Sequence, residues 1–173
     1  NTSNTYGMRM LTSFGTGTIN DNEAQPVVNV AAAANTTETA SAVMTYNVTL
    51  SSLSSTATTV VCSTAGGPAP SATAGTDFTA SSTTLTFNAG SLTPTSQSCT
   101  ATVLGDTMYE PNEYVRATLG SLTGLATMGT SAADALIVDN DVQPNIGIST
   151  ASITEGNSGS MTMTFVVTLS NAS

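Results

Sequence analysis

The sequence predicts an all-β sandwich. Apolar residues alternate at period two in short runs, and clusters of Gly, Pro, Ser and Asn separate those runs at regular intervals. Thr and Ser together make up about a third of the chain, and β-branched Thr suits a pleated surface. The sequence also resembles itself. Ile19-Asn20-Asp21-Asn22-Glu23-Ala24-Gln25-Pro26 recurs 118 residues later as Ile137-Val138-Asp139-Asn140-Asp141-Val142-Gln143-Pro144. Val28-Asn29-Val30 returns as Ile146-Gly147-Ile148, and Tyr46–Ser51 returns as Phe165–Ser170 with one residue of slippage. That periodicity divides the chain into the closing strands of one unit (1–22), a complete unit (23–141) and the opening strands of a third (142–173).

Within the complete unit the strands are expected near 27–33, 42–51, 57–64, 83–88, 97–104, 113–120 and 132–139. Met44, Tyr46, Val48 and Leu50 mark one apolar face, and Leu85 with Phe87 marks another. The same alternation runs through Cys99, Ala101 and Val103, and through Val115, Ala117 and Leu119. Ala31–Ala34 has helical propensity but is too short, and too hemmed in by Thr, to hold a helix. Gly66-Gly67-Pro68-Ala69-Pro70 reads as a loop, because its glycines and prolines break a strand. Seven strands in one unit make one sandwich.

Cys62 shares a face with Val60, and Cys99 shares one with Ala101 and Val103, so both cysteines are expected to point into the core. A disulfide between them is the expectation, with two buried thiols acting as small hydrophobes as the alternative. Such a disulfide would require an oxidising compartment, and the Thr-rich, lysine-free composition suits an extracellular or cell-surface protein better than a cytosolic one. Arg116 alternates out from Val115 and Ala117 and is expected to pair with a nearby acid.

Charge is scarce: eleven Asp and Glu, two Arg, no Lys and no His, for a net charge of −9. A chain without a basic patch does not neutralise nucleic-acid phosphates. Without His or Lys it lacks the usual general bases, Schiff-base lysines and imidazole ligands, so no enzymatic activity is expected. A glycosidase-like carboxylate pair would need an aromatic-lined cleft, and aromatics are only 5% of residues. No apolar run approaches the roughly 18 residues of a membrane span.

The carboxylates fall at strand ends and turns. Glu38 lies between the first two strands, Asp77 precedes the fourth and Asp106 ends the fifth. Glu110 and Glu113 come just before the sixth, and Asp139 and Asp141 close the last, two residues apart and so facing the same way in extended chain. Crowded at one pole, such groups repel one another, and a hard divalent cation relieves that repulsion. Calcium takes several carboxylate and carbonyl oxygens in irregular geometry. Solvated turn residues are the alternative reading, since Asp and Asn favour turns for backbone reasons alone.

Four motifs in order resemble the Calx-beta domain: Ala72-Thr73-Ala74-Gly75-Thr76-Asp77-Phe78, Leu85-Thr86-Phe87-Asn88-Ala89-Gly90, Leu104-Gly105-Asp106 with Glu110-Pro111-Asn112-Glu113, and Ile137-Val138-Asp139-Asn140-Asp141. The resemblance covers 23–141, and Thr18–Asp21 and Ile153–Gly156 resemble the end and start of neighbouring copies. It implies a seven-stranded, immunoglobulin-like β-sandwich in tandem repeat. It also implies calcium, weakly bound, at Glu38, Asp77, Asp106, Glu110, Asp139 and Asp141, with Glu113 structural or in an outer shell.

The function expected is an extracellular structural or adhesive repeat, a stalk or fibre whose partners are neighbouring repeats, identical subunits, or surface ligands and glycans. The alternative is a self-assembling filament subunit completed by strand exchange, with no role for a metal. A cytosolic calcium sensor would call for reduced cysteines and denser aspartates. Asn1, Asn35, Asn47 and Asn171 each open an Asn-x-Ser/Thr acceptor for N-linked sugar.

Overall fold

The computed structural model describes residues 15–91 and 96–171. Within them every regular element is a strand: β1 Val27–Ala31, β2 Thr36–Thr37, β3 Val43–Leu50, β4 Thr58–Gly66, β5 Phe78–Thr79 and β6 Ser82–Phe87. The chain continues with β7 Ser96–Val103, β8 Glu113–Thr123, β9 Thr127–Met128, β10 Ala132–Val138, β11 Ile146–Ile148 and β12 Val167–Leu169. No helix among them is long and apolar enough to cross a membrane.

Two five-stranded sheets, ordered β5-β7-β3-β1-β9 and β2-β10-β8-β4-β6, face each other across one core. The seven expected strands are all present as β1, β3, β4, β6, β7, β8 and β10. Strand β4 runs to Gly66, two residues past its expected end, because it stays paired with β8 as far as Val115. Three two-residue strands add to the seven. Strand β9 pairs parallel with β1, and β2 pairs parallel with β10, so the chain steps between the sheets at both places.

Alternation sets the core. Val28, Val30, Met44, Tyr46, Val48 and Phe78 from one sheet meet Val60, Leu85, Phe87, Val115, Ala117 and Ile137 from the other. Tyr46 spans the two sheets: its buried hydroxyl donates to the Val115 carbonyl at 2.7 Å, and burial pushes its pKa up to about 12. Cys62 on β4 and Cys99 on β7 form a disulfide between the sheets, with Cα atoms 6.1 Å apart. Closing a loop between residues 37 apart in sequence contributes about 4 kcal/mol in the chain-entropy model. Arg116 points outward and makes a two-pronged pair with Asp134, at 2.7 and 2.8 Å.

Beyond the sandwich, β11 and β12 form a separate antiparallel ribbon. Its register, Ile146↔Leu169 and Ile148↔Val167, matches Val28↔Leu50 and Val30↔Val48 of the β1–β3 hairpin.

Candidate metal centre

The loops at one end of the sandwich collect the carboxylates. Strand β2 lies along β10, and the Glu38 amide donates to the Val138 carbonyl at 2.8 Å, so Glu38 emerges beside the end of β10. Asp106 reaches the same place because Gly105 packs against the backbone of Thr39 and Ala40. A Cβ on Gly105 would lie 2.8 Å from the Ala40 nitrogen, a contact only glycine avoids. Asp77 closes a turn in which Gly75 takes φ +96°, its carboxylate accepts from the Thr73 amide, and its carbonyl accepts from Leu104.

Two groups result. Carboxylate oxygens of Glu38, Asp106 and Asp141 lie within 4.8 Å of one another, and so do those of Asp77, Glu110 and Glu113. Five of the six residues expected as ligands are therefore brought together in one group or the other. The sixth, Asp139, joins neither; its Oδ1 accepts from the Glu110 amide at 3.3 Å while its own amide donates to Asn112 Oδ1. Strand β10 ends at Val138, so the period-two argument that faced Asp139 and Asp141 the same way no longer applies beyond it. Glu113, placed outside the ligand set by sequence, stands inside the second group. Its signal was parity: it opens β8 in phase with the inward-facing Val115 and Ala117, which aims it into the mouth of the sandwich.

The electrostatics are those of unrelieved like charge. Partial burial raises the pKa of Glu38 and Glu110, and the neighbouring aspartates raise both further. Glu113 is pushed up to about 7, first by burial, then by a hydrogen bond and repulsion from Asp77. Among the described residues Arg116 is the one cationic side chain, and it is committed to Asp134 away from this pole.

The first group has a further property. Asp141 Oδ2 is shielded from solvent and has no hydrogen-bond partner. A buried carboxylate oxygen without a donor costs free energy that a cation would recover. Two oxygens bound to one calcium at about 2.4 Å lie no more than about 4.8 Å apart, so the spacing of each group suits a shared ion. All-oxygen donors, with no imidazole or free thiolate, match a hard cation rather than zinc or copper.

Of the acceptor asparagines, Asn35 accepts from the Leu136 amide and Asn171 donates to the Val142 carbonyl, while Asn47 lies exposed on β3. Asn1 falls outside the described residues.

The fold is similar to that of the apo-form Calx CBD1 domain, at TM-score 0.57 and 21% identity, over 68% of this chain and 100% of that one. It is also similar to CBD12 from CALX1.2, at TM-score 0.56 and 22% identity, over 66% of this chain and 44% of that one. No curated protein sequence matches it. The Calx-beta domain model matches residues 21–141, the span that contains both sheets and both carboxylate groups, and on that match the chain belongs to the Calx-beta domain family.

Proposed function

We propose that this chain is a non-catalytic calcium-binding module of an extracellular stalk or fibre, in which calcium held between strand-end loops stiffens the sandwich at its junction with a neighbouring unit. The observation that carries the reading is the shielded, unpartnered Oδ2 of Asp141 within the Glu38–Asp106–Asp141 group. Calcium would neutralise that group and the adjoining one, using Glu38, Asp106 and Asp141 on one side and Asp77, Glu110 and Glu113 on the other. Few, partly buried carboxylates favour the weak affinity range of extracellular modules, about 10⁻⁴–10⁻³ M.

The disulfide supports an oxidising compartment. The recurrence of residues 19–26 at 137–144 supports a chain built from tandem units with a short, stiff junction at Asp141–Pro144. Exposed Asn47 is the acceptor that best suits N-linked sugar.

Calorimetric titration with calcium chloride tests the reading. The wild-type chain gives saturable heat, and Asp141→Asn, which keeps the volume and removes the charge, weakens binding at least tenfold. Titration heats that stay flat in the wild type would overturn it.

A further inference from the structure

The two sheets of the sandwich differ in charge. Strands β8 and β10 carry Glu113, Arg116 and Asp134, and the Arg116–Asp134 pair lies on the outer face of their sheet. No strand of the sheet β5-β7-β3-β1-β9 contains a charged residue. Its outer face is built of small polar side chains: Thr45 lies opposite Thr100, and Asn47 lies opposite Ser98. In a chain of net charge −9, this face lacks the charged side chains that keep β surfaces soluble and apart.

Asn47 stands at the centre of that face, on the middle strand of the five. Met44, Tyr46 and Val48 are buried in the core, and alternation along β3 turns Asn47 and Thr49 outward. Core register fixes their direction, so it does not depend on the chain's ends. Asn47-Val48-Thr49 is an Asn-x-Thr acceptor. Its neighbours across the ladder, Ser98 and Ala31, are small and leave room above it. The Asn47 amide makes no side-chain hydrogen bond among the described residues. The other described acceptors are engaged. Asn35 Oδ1 accepts from the Leu136 amide at 3.2 Å and is pinned against the edge of β10. The Asn171 nitrogen, the atom that a sugar would occupy, donates to the Val142 carbonyl.

We propose that Asn47 carries an N-linked glycan in the mature protein, and that this glycan shields the charge-free face of the sheet. The proposal rests on the reading of the chain as extracellular. In the transfer, Asn47 Nδ2 attacks C1 of the reducing-end sugar of a polyprenyl-diphosphate oligosaccharide. The Nδ2–C1 bond forms and the bond from C1 to the diphosphate oxygen breaks. The polyprenyl diphosphate leaves with the bonding pair, and one amide proton is released. The chain is the acceptor in this step and supplies no catalytic group. A bulky, hydrated sugar at the middle of the face holds other β surfaces off without adding to the net negative charge.

Peptide mass spectrometry of the protein isolated from its own source tests this. Enzymatic release of N-linked sugar in heavy-oxygen water converts each occupied asparagine to a labelled aspartate. The expected result is label at Asn47 and none at Asn35 or Asn171. Asn47→Gln produced in the same source lacks the sugar and precipitates at about half the ammonium sulfate concentration of the wild type. Thr49→Ser keeps the acceptor and the wild-type solubility. The Asn47 side chain points away from the core, so the circular dichroism of Asn47→Gln stays that of the wild type and a folding defect is excluded. An unlabelled Asn47 would overturn the proposal, whatever the other asparagines show. Equal solubility of Asn47→Gln and wild type would overturn the shielding role. An intact Cys62–Cys99 disulfide and saturable calcium heat in the same material would confine either failure to the glycan and leave the extracellular, calcium-binding reading in place.

Discussion

The β1–β3 hairpin and the β11–β12 ribbon carry similar sequences in the same register, yet one is the centre of the core and the other faces solvent. Strand pairing alone therefore does not distinguish them. What differs is the opposing sheet: β4, β8 and β10 lie across the hairpin, held to it by the Tyr46–Val115 hydrogen bond and to its neighbour β7 by the Cys62–Cys99 disulfide, and the ribbon has no such layer among the described residues. A two-stranded hairpin without a layer to pack on is marginal in water. The comparison separates local pairing, which the sequence encodes twice, from burial, which supplies the stability once.

Counterpart substitutions give the largest contrast. Val48→Asp buries an unpaired carboxylate in the core and costs about 4 kcal/mol or more. Val167→Asp, at the matching position of the ribbon, changes the stability of the sandwich by less than about 0.5 kcal/mol. Urea unfolding of dilute protein, followed by tyrosine fluorescence, reads both. Equal losses would mean that ribbon and sandwich unfold as one unit.

Glu38 and Glu155 sharpen the same comparison at the metal site, since Glu155 is the sequence counterpart of Glu38 and lies exposed. At a hundredfold excess of calcium over its dissociation constant, linkage stabilises the wild type by about 2.7 kcal/mol. Glu38→Gln loses most of that gain, whereas Glu155→Gln keeps it. Thermal unfolding in calcium and in chelator measures each.

The pH dependence follows from the same pole. Glu113, Glu38 and Glu110 all have pKa values raised in the folded state, Glu113 to about 7. A raised carboxylate pKa means the folded state holds its proton more tightly. The resulting stability is fully present below the ordinary value near 4.5 and is lost as pH rises through about 7. Asp134, held low by Arg116, works in the opposite direction, and its contribution is lost only as pH falls below its ordinary value of 3.8. In chelator, stability therefore declines between about pH 4.5 and 7, and Glu113→Gln flattens the decline. Calcium requires the deprotonated groups, so its stabilising effect grows over the same window. A chelator-treated protein whose midpoint rises across that range would contradict the assignment.

Alternation made the seven long strands legible, because each has its own apolar face: Met44–Leu50, Cys99–Val103 and Val115–Leu119 announce theirs. The two-residue strands had no such signal. Thr36–Thr37 and Thr127–Met128 are strands only because β10 and β1, about a hundred residues away, offer free edges. At the site, turn position found Glu38, Asp77, Asp106, Glu110 and Asp141. Their sorting into two groups depends on how loops cross at the pole, and on Gly105 letting one loop touch another. Glu113 was hidden by its position at the start of a strand, although its parity with Val115 carried the information.

The smallest effect is the most diagnostic of how the two hairpins relate. In each, a serine hydroxyl accepts from the backbone amide opposite: Val27 to Ser51 and Asn145 to Ser170, both at 2.9 Å. Each serine amide also donates back to the matching carbonyl, at 3.0 Å in both. Removing such an exposed hydroxyl costs about 0.5–1 kcal/mol where the bond opens only on global unfolding. Ser51→Ala should show that loss in the urea midpoint. Ser170→Ala should leave the midpoint unchanged and instead speed hydrogen exchange at the Asn145 and Ile146 amides, because the ribbon opens locally without the sandwich. If the Ser170→Ala amides are instead protected to the level of global unfolding in the dilute chain, the ribbon is already packed within its own molecule, and the contrast between the two hairpins disappears.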